Sequence, residues 1–465
     1  MNELIEKDLK MPSRLKMSSF GSYWFWYQFA TLIFDAWVFY FYEVVLNLDV
    51  WLIAGAFLIF IVWDALNEPI IGYLTDRNTR ITRKWGKRFP WIVSGSFIGV
   101  LTFMMIFLPP DVNAQTNPLP IFIWLIVSTC LYDTTLTVSA IHANALFVDK
   151  FRSDSVRRKA QSYITPISLL ALPIGAMIPA FIIEFETRDE FLSLAIVSGI
   201  ILLISALLLV KGVREDKETI DRYYEVKPKH EKFISSLKST FKQRSFMIYA
   251  IFFFGYFLVV LSIQASLPYV VIFVLGSAPE DIGMNITLIM AGLIVGSLIS
   301  VPVWARLTKK LNNNKKAILI GSVVLLVASF VVALFVELIT LIIFTAFFGF
   351  AIGAFWYLDS IVLADVLDER SVRLKSDQKG ATLGVREFIS RLPRAVQVLI
   401  FATVHTLTGF DVNPFNSTAQ IGIRLHMTII PAIIFIVFVV IFWKYYPLTT
   451  EKLVKIKSEL KELGI

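Results

Sequence analysis

Apolar residues in this 465-residue chain fall into long unbroken blocks separated by short polar stretches, without the periodic alternation of a soluble amphipathic domain. A helix rises about 1.5 Å per residue, so crossing a hydrocarbon layer of about 30 Å takes about 20 mostly apolar residues. Blocks of this kind lie at 20–46, 51–76, 89–108, 120–148, 162–184 and 190–211, and again at 245–275, 284–306, 316–336, 338–366, 380–407 and 423–446. The pattern predicts an all-α membrane protein of twelve transmembrane helices. It forms two six-helix halves, residues 1–211 and 245–446, joined by a polar connector at 212–244 and followed by a polar tail at 447–465. The connector is expected to hold one or two amphipathic surface helices.

Lysine and arginine sharpen the topology. They crowd the N-terminus (Lys7, Lys10, Arg14, Lys16), the loops after spans 2, 4, 8 and 10, the connector and the tail. The loops at 47–50, 109–119 and 276–283 have none. The positive-inside rule then puts both termini in the cytoplasm of a plasma-membrane protein. Net charge is +8 and 17% of residues are charged; basic loops account for this without a nucleic-acid partner. Cys130 is the single cysteine, which excludes internal disulfides and thiolate clusters. The N-terminus lacks the apolar core and cleavage site of a signal peptide. A weak repeat, proline then basic loop then Gly-Ser, follows spans 2 and 8. Six plus six with such a repeat is the layout of the major facilitator architecture.

Ionisable groups inside spans cost about 2.5–3.5 kcal/mol each and are functional candidates by default. Here they are Asp35, Glu43, Asp64, Glu68, Asp133, Asp359, Arg386, Glu387, Arg391 and Arg394. Asp64, Asp133, Arg391 and Arg394 fall near the middle of their spans. Asp64 and Glu68 are one helical turn apart with Asn67 beside them, and carboxylates that close repel unless a proton or cation joins them. All-oxygen ligation suits a hard monovalent cation, and Pro69 leaves the Ala65 carbonyl without its amide partner. Salt bridges to the arginines of span 11 are the structural alternative. Those arginines fit recognition of an anionic or hydroxyl-rich substrate (Arg391) or a gate between the halves (Arg386, paired with Asp35, Asp64 or Asp133). Arg394 joins the gating set, and Asp76 and Arg77 read as a charge relay or as an ordinary solvated loop. His142 is expected to line a polar pore. No HxxxH or HExxH spacing and no phosphate-binding Gly-rich loop occurs, so neither a metal beyond that cation nor ATP drive is expected, and no enzymatic cofactor.

The run WDALNEPIIGYLTDRNTRITRKWGKRFPWI, starting at Trp63, and the run ADVLDERSVRLKSDQKGATLGVREFISR, 364–391, resemble the glycoside–pentoside–hexuronide:cation symporters, the melibiose permease family. The resemblance implies Na⁺, Li⁺ or H⁺ symport by alternating access. Asp64, Asn67 and Glu68 fall on the family's cation site, with Asp133 nearby; Arg391 falls on a helix 11 lysine and Trp356 on a tryptophan near the sugar. Asp365, in the A-D-x-x-D segment, is placed with the gating residues. Departures are Tyr27-Gln28 for the helix 1 Lys-Asp pair, Leu136 and Ala140 at two helix 4 positions, and Tyr163 for a helix 5 arginine. Gln28 and Tyr163 are thus candidate sugar contacts, and a galactoside is not the expected substrate. A sugar, glycoside or hexuronide is expected, moved by a monomer. Rival readings are symport of a lysophospholipid or organic anion, and a non-transporting membrane sensor or scaffold. A channel would need a repeated selectivity loop that the chain lacks.

Overall fold

The computed structural model describes residues 12–75, 80–151, 154–182, 187–217, 220, 240–374 and 380–463. They form helices throughout, in two compact units, Met1–Lys229 and His230–Ile465. In the first unit lie α1 (Arg14–Tyr40), α2 (Val50–Thr75), α3 (Phe89–Ile106), α4 (Leu119–Lys150), α5 and α6 (Arg188–Val213). α5 is broken into Asp154–Leu169 and Ala171–Ile182, with Pro166 and Pro179 inside its two pieces. Each proline lacks the amide that would continue the ladder, so the single block expected at 162–184 becomes a kinked pair that starts earlier.

The second unit has α7 (Arg244–Tyr269), α8 (Pro279–Leu311), α9 (Asn314–Val332), α10 (Leu338–Leu374), α11 (Gly380–Thr408) and α12 (Ser417–Tyr445). A tail helix, α13 (Thr450–Leu463), follows. Ten of the twelve long helices are apolar enough throughout to cross a membrane. The other two are α1 and α11, of 27 and 29 residues. Serine, tyrosine, Gln28 and Asp35 dilute α1, while Arg386, Glu387, Arg391 and Arg394 occupy the first half of α11. Most of the connector, where surface helices are expected, lies outside the described residues.

Two features repeat between the units. α1 continues into a π-turn at Phe41–Val45, and α7 into one at Val270–Val274. The sequences there, FYEVV and VVIFV, share no pattern. At the end opposite the basic loops, Arg188 of α6 donates to the Pro109 carbonyl and pairs with Asp111 at 2.7 Å. Arg424 of α12 donates to the carbonyls of Ala333 and Phe335 at 2.9 and 2.6 Å. In each unit an arginine holds the chain that leaves a neighbouring helix and so satisfies its last carbonyls.

With lipid as solvent, helices associate by close packing and interhelical hydrogen bonds. α8 and α10 meet through glycines: a Cβ on Gly296 would lie 2.0 Å from the Ala346 carbonyl oxygen, and one on Gly349 2.0 Å from that of Leu293. α1 and α6 are tied by hydroxyls instead. Ser19 donates to the Leu208 carbonyl at 2.5 Å and accepts from the Gly212 amide, while Ser205 donates to the Ser22 carbonyl at 2.7 Å. The indole N–H of Trp63 on α2 reaches the Cys130 carbonyl and the Thr134 hydroxyl of α4, both at 3.1 Å. That last contact fixes the register in which the buried acids meet.

Candidate functional site

With Trp63 locked against Cys130 and Thr134, the next turn of α2 lies beside the next turn of α4. Asp64, Asn67 and Asp133 are then buried, at 4%, 1% and 5% exposure. The Asn67 amide nitrogen donates to Asp133 Oδ2 at 2.9 Å. An amide partner hydrogen-bonds a carboxylate without neutralising it. A buried carboxylate is costly unless it is paired or hydrogen-bonded. Because the nitrogen of Asn67 is spent on Asp133, its amide oxygen remains as a ligand atom, on the same helix as the carboxylates of Asp64 and half-buried Glu68. Among the described residues no three His, Cys, Asp or Glu side chains gather as a metal-binding group. Asn67 links α2 to α4 at this point.

The second unit arranges its charges differently. Arg386 on α11 pairs with Asp359 of α10 at 2.5 Å, donates through Nε to the Tyr249 hydroxyl of α7 at 3.0 Å and pairs with Glu387 at 2.6 Å. Tyr249 in turn donates to the other Asp359 oxygen at 2.5 Å. Sequence reasoning placed the partner of Arg386 in the other half; these contacts are all within its own unit. Tyr249 was missed because a tyrosine in an aromatic-rich helix carries no polar signal of its own. Asp365 is buried and accepts from Asn314 of α9 at 2.7 Å, so its described contact is a helix-end tie.

The remaining candidates are scattered over several helices. Trp356, one turn before Asp359, is 44% exposed; Arg391, Arg394 and Tyr163 are half-buried. Gln28 is half-buried, and its side-chain oxygen is enclosed with no hydrogen-bond partner among the described residues. Asp76 and Arg77 lie outside the described residues. His142, expected to line a pore, is 1% exposed, stacked on Trp91 at 6.0 Å and 3.3 Å from Arg88. His405 and His426 are fully buried and 3.1 Å apart; His426 lies in a π-turn of α12.

At the basic end, a buried carboxylate and a half-buried ammonium hold helix termini. Glu215, just past α6, accepts the amides of Arg88 and Phe89 at 2.8 and 2.9 Å, the entry to α3. Anionic oxygen at a helix N-terminus satisfies orphan donors and suits the dipole. Gly86, at φ 107°, makes room: a Cβ there would lie 2.1 Å from the carboxylate. Burial pushes the Glu215 carboxyl above its ordinary range, against the pull of those amides and Arg88. Lys150 at the end of α4 donates to the carbonyls of Gly212 and Arg214. Burial lowers its ammonium to about 8.

Known proteins show the same organisation. A sodium-dependent lysophosphatidylcholine symporter 1 from Gallus gallus is 21% identical over 442 residues, which is 86% of this chain and 80% of that protein. A lactose permease from Lactobacillus delbrueckii subsp. bulgaricus is 23% identical over 423 residues, covering 86% of this chain and 64% of the permease. The crystal structure of a D-xylose–proton symporter matches with a TM-score of 0.62 at 12% identity, over 94% of this chain and 98% of its own; that likeness is one of fold. The family model of the MFS/sugar transport proteins matches residues 19–450, and the chain belongs to that family.

Proposed function

We propose that this chain is a cation-coupled symporter that works by alternating access, with Asp64, Asn67, Glu68 and Asp133 as its cation site. The observation that carries this reading is the hydrogen bond between Asn67 and Asp133 beside buried Asp64. In this reading an added Na⁺ or H⁺ answers the charge of these carboxylates and stabilises one arrangement of the helices over another. Both termini are placed in the cytoplasm by the basic loops, and the protein works as a monomer in the plasma membrane.

For the substrate we favour a sugar, glycoside or hexuronide, met by Gln28, Tyr163, Trp356 and Arg391, with Arg386, Arg394, Asp365, Asp76 and Arg77 serving the gates. The unpaired oxygen of Gln28 and the exposed ring of Trp356 support this assignment. A second reading, a lysophospholipid, is supported by the 21% identity to the Gallus gallus symporter over 86% of the chain. Purified protein in proteoliposomes, with imposed Na⁺ or H⁺ gradients, tests both. Asp64→Asn is expected to abolish accumulation above equilibrium while leaving the protein folded. Gradient-driven accumulation by that variant overturns the cation-site assignment. Counterflow with labelled hexuronides, neutral sugars and lysophosphatidylcholine decides the substrate class.

A further inference from the structure

A furrow runs along α3 on the outside of the first unit. Its first section, of about 450 Å³, is lined by Trp85, Phe89, Val93 and Phe97. A second, of about 400 Å³, begins at the same Phe97 and continues between Leu101 of α3 and Ile200 of α6. Each section falls within the usual size of a ligand cleft, about 300–1,000 Å³. The lining is almost wholly apolar, and Leu101 and Ile200 are 68% and 52% exposed. From Phe89 to Leu101 the helix rises about 18 Å. One leaflet of hydrocarbon is about 15 Å deep, so the furrow matches a single acyl chain that enters from the Trp85 end.

The Trp85 end is cationic. Lys84 Nζ lies 5.8 Å and the Arg214 guanidinium 5.6 Å from the centre of the Trp85 ring, and the ring stacks on Phe89. Lys84, Lys211 and Arg214 are all exposed there. Glu215, next to Arg214, is turned inward onto the α3 amides, so the exposed acid beside these cations is Asp216. A tryptophan flanked by cations, at the mouth of an apolar furrow, is the arrangement that receives a phosphate above a hydrocarbon tail.

We infer that the α3–α6 furrow is a binding site for one anionic phospholipid of the bilayer, with its phosphate at Lys84 and Arg214 beside Trp85 and one acyl chain between Phe89 and Ile200. The site is separate from the proposed cation site and does not depend on what is transported.

Native mass spectrometry of the purified chain in mild detergent, with equimolar phosphatidylglycerol and phosphatidylcholine of the same acyl chains, tests this. The protein should retain phosphatidylglycerol preferentially, by roughly fivefold for each contributing cation. Lys84→Gln with Arg214→Gln should bring the ratio near unity. Ile200→Trp, which fills the upper furrow, should lower retention of both lipids. Equal retention of the two lipids by the unaltered chain overturns the proposal, as does an undiminished preference in the double variant. Because the readout is bound mass, a failure of the transport reading leaves this result standing, and the reverse.

Discussion

The two units handle buried charge in opposite ways. In the first, Asp133 is met by a neutral amide, Asn67, on a helix that also carries Asp64 and Glu68. In the second, Asp359 is met by a guanidinium and a phenol, and the guanidinium's three described contacts go to Asp359, Tyr249 and Glu387. The described partner of the acid is a neutral amide in one unit and a guanidinium with a phenol in the other. Symmetry of fold between the halves thus coexists with asymmetry of electrostatics. A symporter needs both: a place where charge comes and goes, and a frame that stays intact while it does.

The largest expected effect is in the second unit. Arg386→Met leaves half-buried Asp359 without its cation. Breaking a fully buried pair costs about 3–5 kcal/mol; this pair, 19% and 21% exposed, should lower the melting temperature of the purified protein clearly but by less than that figure implies. Adding Asp359→Leu should recover most of the loss, because it removes the stranded charge. If Arg386→Met melts normally, the pairing has no structural weight and the contrast between units collapses.

Asn67→Leu should come next. It removes the amide that bridges to Asp133, a loss of about 1–1.5 kcal/mol in site stability, and should raise the half-saturating cation concentration in uptake assays by about tenfold. Tyr249→Phe removes two hydrogen bonds to groups that keep their ion pair, and should cost about 1 kcal/mol of stability with cation affinity unchanged. A shift in cation affinity there would merge the two regions into one site.

The smallest effect is at the basic end of the first unit. Burial holds the Lys150 ammonium at about 8, below its ordinary 10.5, so folding favours the neutral amine. Its stabilising contribution is complete above 10.5 and is lost as pH falls through 8. A melting curve measured across that window should slope downward toward lower pH, and Lys150→Met should flatten it. Glu215 shifts the other way: its contribution is complete below the ordinary carboxyl value and is lost as pH rises through the raised one.

Hydropathy and loop charge made the helical architecture legible, because both respond to the solvent and not to neighbours in the fold. The break in α5 was foreshadowed only by its prolines, and the paired π-turns at Phe41–Val45 and Val270–Val274 by nothing in their residues. At the site, the spacing of Asp64, Asn67 and Glu68 marked α2 directly, since residues three and four apart share a helix face. Partner choice was not readable. That Asn67 would bond Asp133, or that Arg386 would turn to Asp359 and Tyr249, depends on helix register set by distant contacts such as Trp63 with Thr134. Glu215 and His426 were invisible for the same reason: their roles arise from amides and rings brought to them by other helices.

Cys130 provides a natural reporter on the proposed cation site. It is the sole cysteine of the chain, half-buried on α4, and its own carbonyl accepts the Trp63 indole at 3.1 Å. Asp133 follows one turn later. A thiol reagent added to the unaltered protein can therefore attach at one position only, beside the contact that aligns α2 with α4. Its labelling rate, followed with and without cation, reads out whether an added cation changes access to that seam.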